Sequence, residues 1–352
     1  MPTHLINRAS GMALASASAC GVYYLSRRLL RSARPRCSVT FETVDVFTSR
    51  PFGGNQLAVC FGAEHLDDRD LQRIAAEFNY SETTFVLPPR DAANTARVRI
   101  FSPHAEMPFA GHPNVGTATV LARRGEVFGR PVGGAVRLEE IAGLVPMEIL
   151  LDDAGEAVGA MLTAPESFSV PEPALPVAEV AKCLGIGDDD VSSERHPPLV
   201  ASAGLPFILA ELRSLDALAR SKGQPAAFAA ASAAVRGAPP KILCYVRTPG
   251  SDEEDLRARM HRADGSEDAG TGSANCALVG LLARLAAEEG GASAGATTVT
   301  MRILQGVEMG RPSRLLGEAH ARRGPAGVVV GPIRIGGHCA AVSRGELCIS
   351  FE

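Results

Sequence analysis

The sequence has no tryptophan and only four tyrosines in 352 residues, although 46% of it is hydrophobic and 21% charged, as in an ordinary folded protein. So few aromatic faces leave little on which nucleic-acid bases could stack. Positive charge is scarce as well. The first 41 residues carry six arginines and no acid, so of 35 Lys+Arg the other 311 residues keep 29 against 39 Asp+Glu, a net charge of −10. An acidic body does not draw a polyphosphate backbone, and no nucleic-acid partner is expected. The eight cysteines are scattered, without a Cys-x-x-Cys pair or Cys/His blocks of zinc-finger spacing, so neither a metal nor a disulfide framework is expected. Dispersed thiols fit an intracellular reducing compartment, cytoplasmic or organellar. There is no Gly-Lys-Ser/Thr after a glycine-rich loop and no Gly-x-Gly-x-x-Gly after a strand, so no nucleotide cofactor, and no cofactor of any kind, is expected.

A long apolar run is also lacking. Residues 11–25 are weakly apolar, interrupted by Ser and Gly, and followed by Arg27, Arg28, Arg31, Arg34 and Arg36. The run falls short of the roughly 20 residues that span a bilayer. Residues 1–37 read as a leader: a transit peptide, a marginal membrane anchor or a disordered extension. Membrane contact is expected only through it.

The chain exceeds the roughly 250–300 residues at which one hydrophobic core stops growing, which predicts two domains. Residues 40–47 read as a strand. Residues 67–78 read as an amphipathic helix with Leu71, Ile74, Ala75 and Phe78 on one face and acids at its start. Strands are expected at 83–87, 96–101, within 198–209, and at 242–247, 255–262 and 297–303. Two very apolar helices are expected after Gly111 and over 275–287, and each should lie in a core. Prolines at 165, 171, 173 and 176 suggest an extended connector. Each half holds a glycine-rich turn opening into an apolar helix, which implies a duplicated α+β unit facing a common cleft. The boundaries expected are a first domain at 38–168, a linker region at 169–197 and a second domain at 198–352, with the final strand returning to the first domain. Residues 226–234 and 286–296 are low in complexity.

Four segments combine glycine or a turn with a polar or titratable group. They are Gly53, Gly54 and Asn55; Ser81-Glu82-Thr83-Thr84-Phe85; Gly111-His112-Pro113; and Asp268 to Ser273, with Gly270 and Gly272. Glycines let a backbone approach a ligand, and a turn that starts a helix offers free amides to a carboxylate. Each segment also has a bland reading. Glu82 can be a solvated acid or a cap, His112 a turn residue, Asp268 an N-cap and Ser273 a first-turn residue. Cys276 reads as a buried structural thiol.

Together and in order, the segments resemble the phenazine-biosynthesis PhzF-like family, relatives of diaminopimelate epimerase. The resemblance runs from Val44-Asp45-Val46-Phe47-Thr48 to Gly336-Gly337. It includes Gly54-Asn55-Gln56-Leu57-Ala58-Val59, Phe101-Ser102-Pro103, Glu106 to Pro113, Gln305-Gly306 and Gly310-Arg311-Pro312-Ser313. It implies two similar domains, each a curved sheet wrapped round a central helix, with the active site in the cleft between them and a homodimeric assembly. It places Glu82 on the general acid/base, His112 on the Gly-His position, and Asp268 and Ser273 on the second-domain pair. Gln56, Asn114 and Ala269-Gly270 depart from the usual pattern. Related epimerases use a cysteine in each turn, where this chain has His112 and Asp268.

The expectation is a cofactor-independent isomerase moving a proton within a small carboxylate-bearing substrate, of the dihydro-hydroxyanthranilate isomerase type. Glu82, His112 and Asp268 would be catalytic, while Asn55, Gly111, Gly272 and Ser273 would bind substrate. The alternatives are a racemase or epimerase of an amino or hydroxy acid, and a non-catalytic binding protein that keeps the fold.

Overall fold

The computed structural model describes residues 38–171, 175–231, 241–290, 296–325 and 327–349, so the leader expected at 1–37 lies outside the described residues. Val39–Leu347 form one compact unit; the other unit, Met1–Ser38 with Cys348–Glu352, falls almost wholly outside them. Among the described residues no helix is long and apolar enough to cross a membrane.

The first half begins with β1 (Ser38–Val46) and β2 (Asn55–Phe61), an antiparallel pair. Helix α1 (Asp68–Phe78) then crosses over to β3 (Glu82–Leu87), which runs parallel to β2. Its start is fixed by Asp67, whose carboxylate accepts from the Asp70 amide at 2.9 Å. Its end is the left-handed Asn79, at φ 52°, and Leu71, Ile74 and Ala75 are buried on the face their spacing predicts. After β4 (Ala96–Phe101) and the short β5 (Glu106–Met107) comes α2 (Gly111–Arg124), buried at every position from Gly111 to Leu121. Even its polar residues are inside: Thr117 meets the Thr84 hydroxyl at 2.9 Å, and Thr119 donates to the Val115 carbonyl at 2.7 Å. The small ribbon of β6 (Glu126–Val127) and β7 (Arg130–Pro131) follows, then β8 (Ala135–Glu140), β9 (Gly143–Leu151) and β10 (Ala157–Thr163).

Past the proline-rich stretch, α3 (Val177–Leu184) occupies part of the region expected to be a linker. The prolines stop at 176, and Val177, Val180, Ala181 and Leu184 recur at helical spacing before the left-handed Gly185. The second half contains β11 (Leu199–Ser202), β12 (Pro206–Glu211), α4 (Leu215–Arg220), α5 (Pro225–Ala231), β13 (Ile242–Arg247), β14 (Leu256–His261) and β15 (Glu267–Asp268). The buried helix α6 (Gly272–Glu289), β16 (Thr297–Gln305), β17 (Ser313–Gly324) and the 22-residue β18 (Gly327–Cys348) complete it.

One mixed sheet runs through both halves, in the order β1-β2-β3-β4-β8-β9-β10-β18-β17-β16-β14-β13-β12-β11. Because β18 also pairs with β1, the strands from β1 to β10 on this path close a ring through β18. Helix α2 packs against β2, β3, β8, β9 and β10 of that ring, and α6 against β11, β12, β16 and β17. The large core is continuous through both helices. A smaller one, with Val180, Leu184, Leu218 and Phe228, covers the opposite face of β12 and β13 at Ile208, Ile242 and Cys244. The fold is therefore an α+β fold built on a mixed, partly closed sheet.

Candidate active site

The site is assembled from the beginnings of β2, β3 and α2 and the end of β15. Gly54, at φ +62°, makes the turn that delivers Asn55 to the start of β2; a Cβ there would lie 2.2 Å from the Val46 carbonyl oxygen. Only glycine fits that approach. Glu82 is the first residue of β3 and sits beside Leu57 of β2. His112 is the second residue of α2, and Asp268 ends β15, opposite Met260.

The two glycine-rich turns meet. A Cβ on Gly111 would lie 3.4 Å from the Gly272 Cα and 3.5 Å from the Ser273 amide nitrogen, so the first turns of α2 and α6 are in backbone contact. Neither helix has a side-chain N-cap. Thr271 precedes α6 and has the hydroxyl for that role, but it donates to Asp268 Oδ2 at 2.6 Å instead. Unpaired amides and two helix dipoles are thus aimed at one place, an arrangement suited to negative charge.

His112 has one consistent protonation pattern. Its Nε2 is 3.3 Å from the Gln56 carbonyl oxygen and 3.5 Å from Glu82 Oε2, two acceptors, so Nε2 carries the proton. Nδ1 is then the acceptor and faces the Asn55 amide nitrogen at 3.3 Å, where it shares an N–H with that nitrogen's two nearer acceptors. Burial pushes the imidazole pKa down to about 4, so the ring is neutral at neutral pH. The same Asn55 nitrogen donates to Asp268 Oδ1 and to the Gly270 carbonyl, both at 3.0 Å, and so ties the two halves together. Glu82 is pushed the other way, up to about 8, first by burial and next by the negative charge of Asp268; Arg262 and Lys241 oppose that rise. Arg262 Nη2 lies 3.4 Å from Asp268 Oδ1.

Asn55, Glu82, His112, Asp268, Gly111, Gly272 and Ser273 thus come together within one site. Gly111, Ser273 and Cys276 also line a small cavity, whose other walls include Phe109, Leu162 and Leu205. Glu82, His112 and Asp268 are not in that lining. Among the described residues no three His, Cys, Asp or Glu side chains gather as a metal site.

Sequence reasoning missed the residues that hold the second turn. The fully buried Gln305 donates to the Asp268 carbonyl at 2.7 Å and to the Thr271 hydroxyl at 3.0 Å. Its oxygen accepts from Asn275 at 2.8 Å and from the Thr271 amide at 3.2 Å. The available signal was a lone amide side chain in each of two apolar elements, Asn275 in α6 and Gln305 at the end of β16, since buried amides need partners.

Cys276 lies at the cavity wall, but burial raises its thiol to about 12, which leaves almost no thiolate at neutral pH. Cys276→Ser is expected to retain activity within a few-fold. Rapid inactivation by a thiol reagent that the variant escapes would make this thiol part of the chemistry.

The model of the family described as phenazine biosynthesis-like protein matches residues 44–345. An uncharacterized isomerase of Mesorhizobium japonicum is 34% identical over 311 residues, which cover 87% of this chain and 97% of that protein. The trans-2,3-dihydro-3-hydroxyanthranilate isomerase of Pseudomonas aeruginosa is 34% identical, over 87% of this chain and 98% of its own length. Among solved structures, a PhzF-family phenazine biosynthesis protein of Bacillus anthracis superposes with a TM-score of 0.73 at 23% identity, covering 89% of this chain and 99% of its own. A hydroxyproline epimerase of Agrobacterium vitis shares the fold at a TM-score of 0.56 and 14% identity, over 90% and 94% of the two chains. The chain belongs to the phenazine biosynthesis-like family and is an isomerase.

Proposed function

We propose that this isomerase works without a cofactor and moves a proton within a small carboxylate-bearing substrate, with Glu82 as both acceptor and donor. The observation that carries this reading is a buried carboxyl with a pKa of about 8, next to a neutral imidazole and beside two facing, uncapped helix starts. With that pKa both protonation states of Glu82 are populated near neutral pH, as one group that takes and then returns a proton requires.

The step balances without a redox partner. Carboxylate Glu82 takes a proton from a substrate C–H, and the electron pair of that bond passes into the adjoining π system. The new Glu82 O–H then breaks to form a C–H bond at another carbon. The substrate carboxylate sits against the amides at Gly111 and Gly272, with the Ser273 hydroxyl, where the helix dipoles stabilise the charge that develops. The His112 Nε2–H faces Glu82 and orients it, and Asp268 keeps the Glu82 pKa high while holding Asn55 and Thr271 in place. In this reading each half is an α+β domain with its sheet around a central helix, and chemistry occurs where the two helix starts meet.

The relatives' named substrate, trans-2,3-dihydro-3-hydroxyanthranilate, is the first compound to test. Incubation in deuterated water should convert it, and the share of product that carries deuterium on carbon, read by mass spectrometry, reports how far the proton on Glu82 exchanges with solvent before it returns. Unchanged, unlabelled compound after incubation with folded protein would count against this proton shuttle on that substrate.

A further inference from the structure

A pair of cations at the edge of the site has no role in the steps above. Strands β13 and β14 pair antiparallel up to Ile242 opposite His261, so the next residues beyond the ladder, Lys241 and Arg262, are cross-strand neighbours. Alternation puts Lys241 on the face of Leu243 and Tyr245, and Arg262 on the face of Met260 and Ala258, all of which belong to the core that contains α6. Ile242 and Cys244 point to the smaller core on the other side. Asp268 is paired with Met260, so it shares that face and lies diagonally from Arg262. On the other flank, β12 brings Phe207, whose ring centre is 5.9 Å from Lys241 Nζ. Phe207 is separated only by Pro206 from the 203–205 turn, which lines the cavity.

Like charges directly across two strands are destabilising. Here the juxtaposition is only half relieved. Arg262 has Asp268 at 3.4 Å, whereas the Lys241 ammonium makes no hydrogen bond or ion pair among the described residues and lies only over the Phe207 ring. Of the two cations only Arg262 has a carboxylate partner, which leaves the Lys241 ammonium unpaired beside a site whose turn amides already accept one carboxylate.

We propose that Lys241 and Arg262 bind a second anionic group of the substrate, a carboxylate remote from the one held at Gly111 and Gly272, so that this chain selects a dicarboxylate. The inference rests on the reading of the site as one that holds a substrate carboxylate, and it narrows the substrate class. Both cations lie within electrostatic reach of Glu82, which fits a place beside the reacting group.

Binding isolates this inference from turnover. Glutarate and butyrate, titrated calorimetrically into the full chain at fixed ionic strength, should differ by about tenfold in favour of the dicarboxylate, the value of one charge-assisted contact. Lys241→Met should abolish the difference while leaving butyrate binding unchanged, and Lys241→Arg, which keeps the charge, should retain it. Thermal unfolding of each variant verifies folding. Equal affinity of the wild-type chain for the two acids, or a preference that survives Lys241→Met, overturns the assignment. Failure of substrate conversion with a preserved dicarboxylate preference would instead count against the proton-shuttle mechanism alone.

Discussion

Replacing Glu82 with glutamine is expected to lower the rate of substrate conversion by about 10²–10⁴-fold, the usual contribution of one proton-transferring group, while the protein folds normally. The substitution keeps size and shape and removes only the exchangeable carboxyl proton. Folding should not suffer, because the carboxylate form is the one burial disfavours: the Glu82 pKa of about 8 states that this position accommodates a neutral group better than a charged one. Glutamine can still face His112 Nε2, now 3.5 Å from Glu82 Oε2, so the imidazole keeps an acceptor. Rate by mass spectrometry and unfolding by circular dichroism separate the two effects. A well-folded Glu82→Gln protein of near wild-type rate would remove Glu82 from the mechanism.

The parts of the fold legible in the sequence were those where local pattern and tertiary role agree. Helix α1 shows both its apolar face and its acidic cap, and the starts of α2 and α6 are marked by glycines that lie where the two turns meet. A final strand returning to the first half was expected, but the 22-residue extent of β18 was not read. Gly331, Pro332, Gly336 and Gly337 look like turn signals, yet Gly336 is there because a Cβ would fall 2.1 Å from the Ala160 carbonyl oxygen of the neighbouring strand. Close packing between strands and a turn use the same residue, and sequence cannot separate them. The connector region shows the converse: four prolines suggested extended chain, but the residues after Pro176 had enough helical spacing to bury Val180, Ala181 and Leu184. In the site, Glu82, His112 and Asp268 were found through motifs that resemble a family. Gln305 and Arg262 act through contacts across the sheet, and Lys241 and Arg262 become neighbours only through strand register.

Stability is expected to fall as pH rises from about 6.5 to about 8, by about 1.4 kcal/mol per pH unit for each buried carboxyl that titrates there. Two do. Glu82 is raised to about 8 by burial and by Asp268, and Glu140, the last residue of β8, is raised to about 8 by burial, with Asn114 opposing. Neither oxygen of Glu140 and neither amide atom of Asn114 has a hydrogen-bond partner among the described residues, so the opposing pull of Asn114 does not make up for the water an ionised Glu140 would lose. Against an ordinary carboxyl value of 4.5, both groups bind more protons in the folded state than in the unfolded one. Their contribution is therefore complete below pH 4.5 and is lost progressively as pH climbs to about 8. His112 and His261 act in the opposite sense: lowered from 6.5 to about 4, they favour the folded state above pH 6.5 and lose that contribution as pH falls toward 4. Between pH 4.5 and 6.5 the two sets offset one another, and above 6.5 the histidines are neutral in both states, which leaves the carboxyls alone. Urea unfolding at half-unit steps from pH 6.5 to 8 should show this decline, and Glu140→Gln should remove about half of the slope. Glu140, at the end of β8, makes no hydrogen bond or ion pair with Glu82, His112 or Asp268, so that variant should keep its rate, whereas Glu82→Gln should remove a similar share of the slope and lose the rate as well. A flat wild-type profile over that range would mean that both carboxyls ionise in place without penalty, and the shuttle would then lack the near-neutral pKa on which it depends.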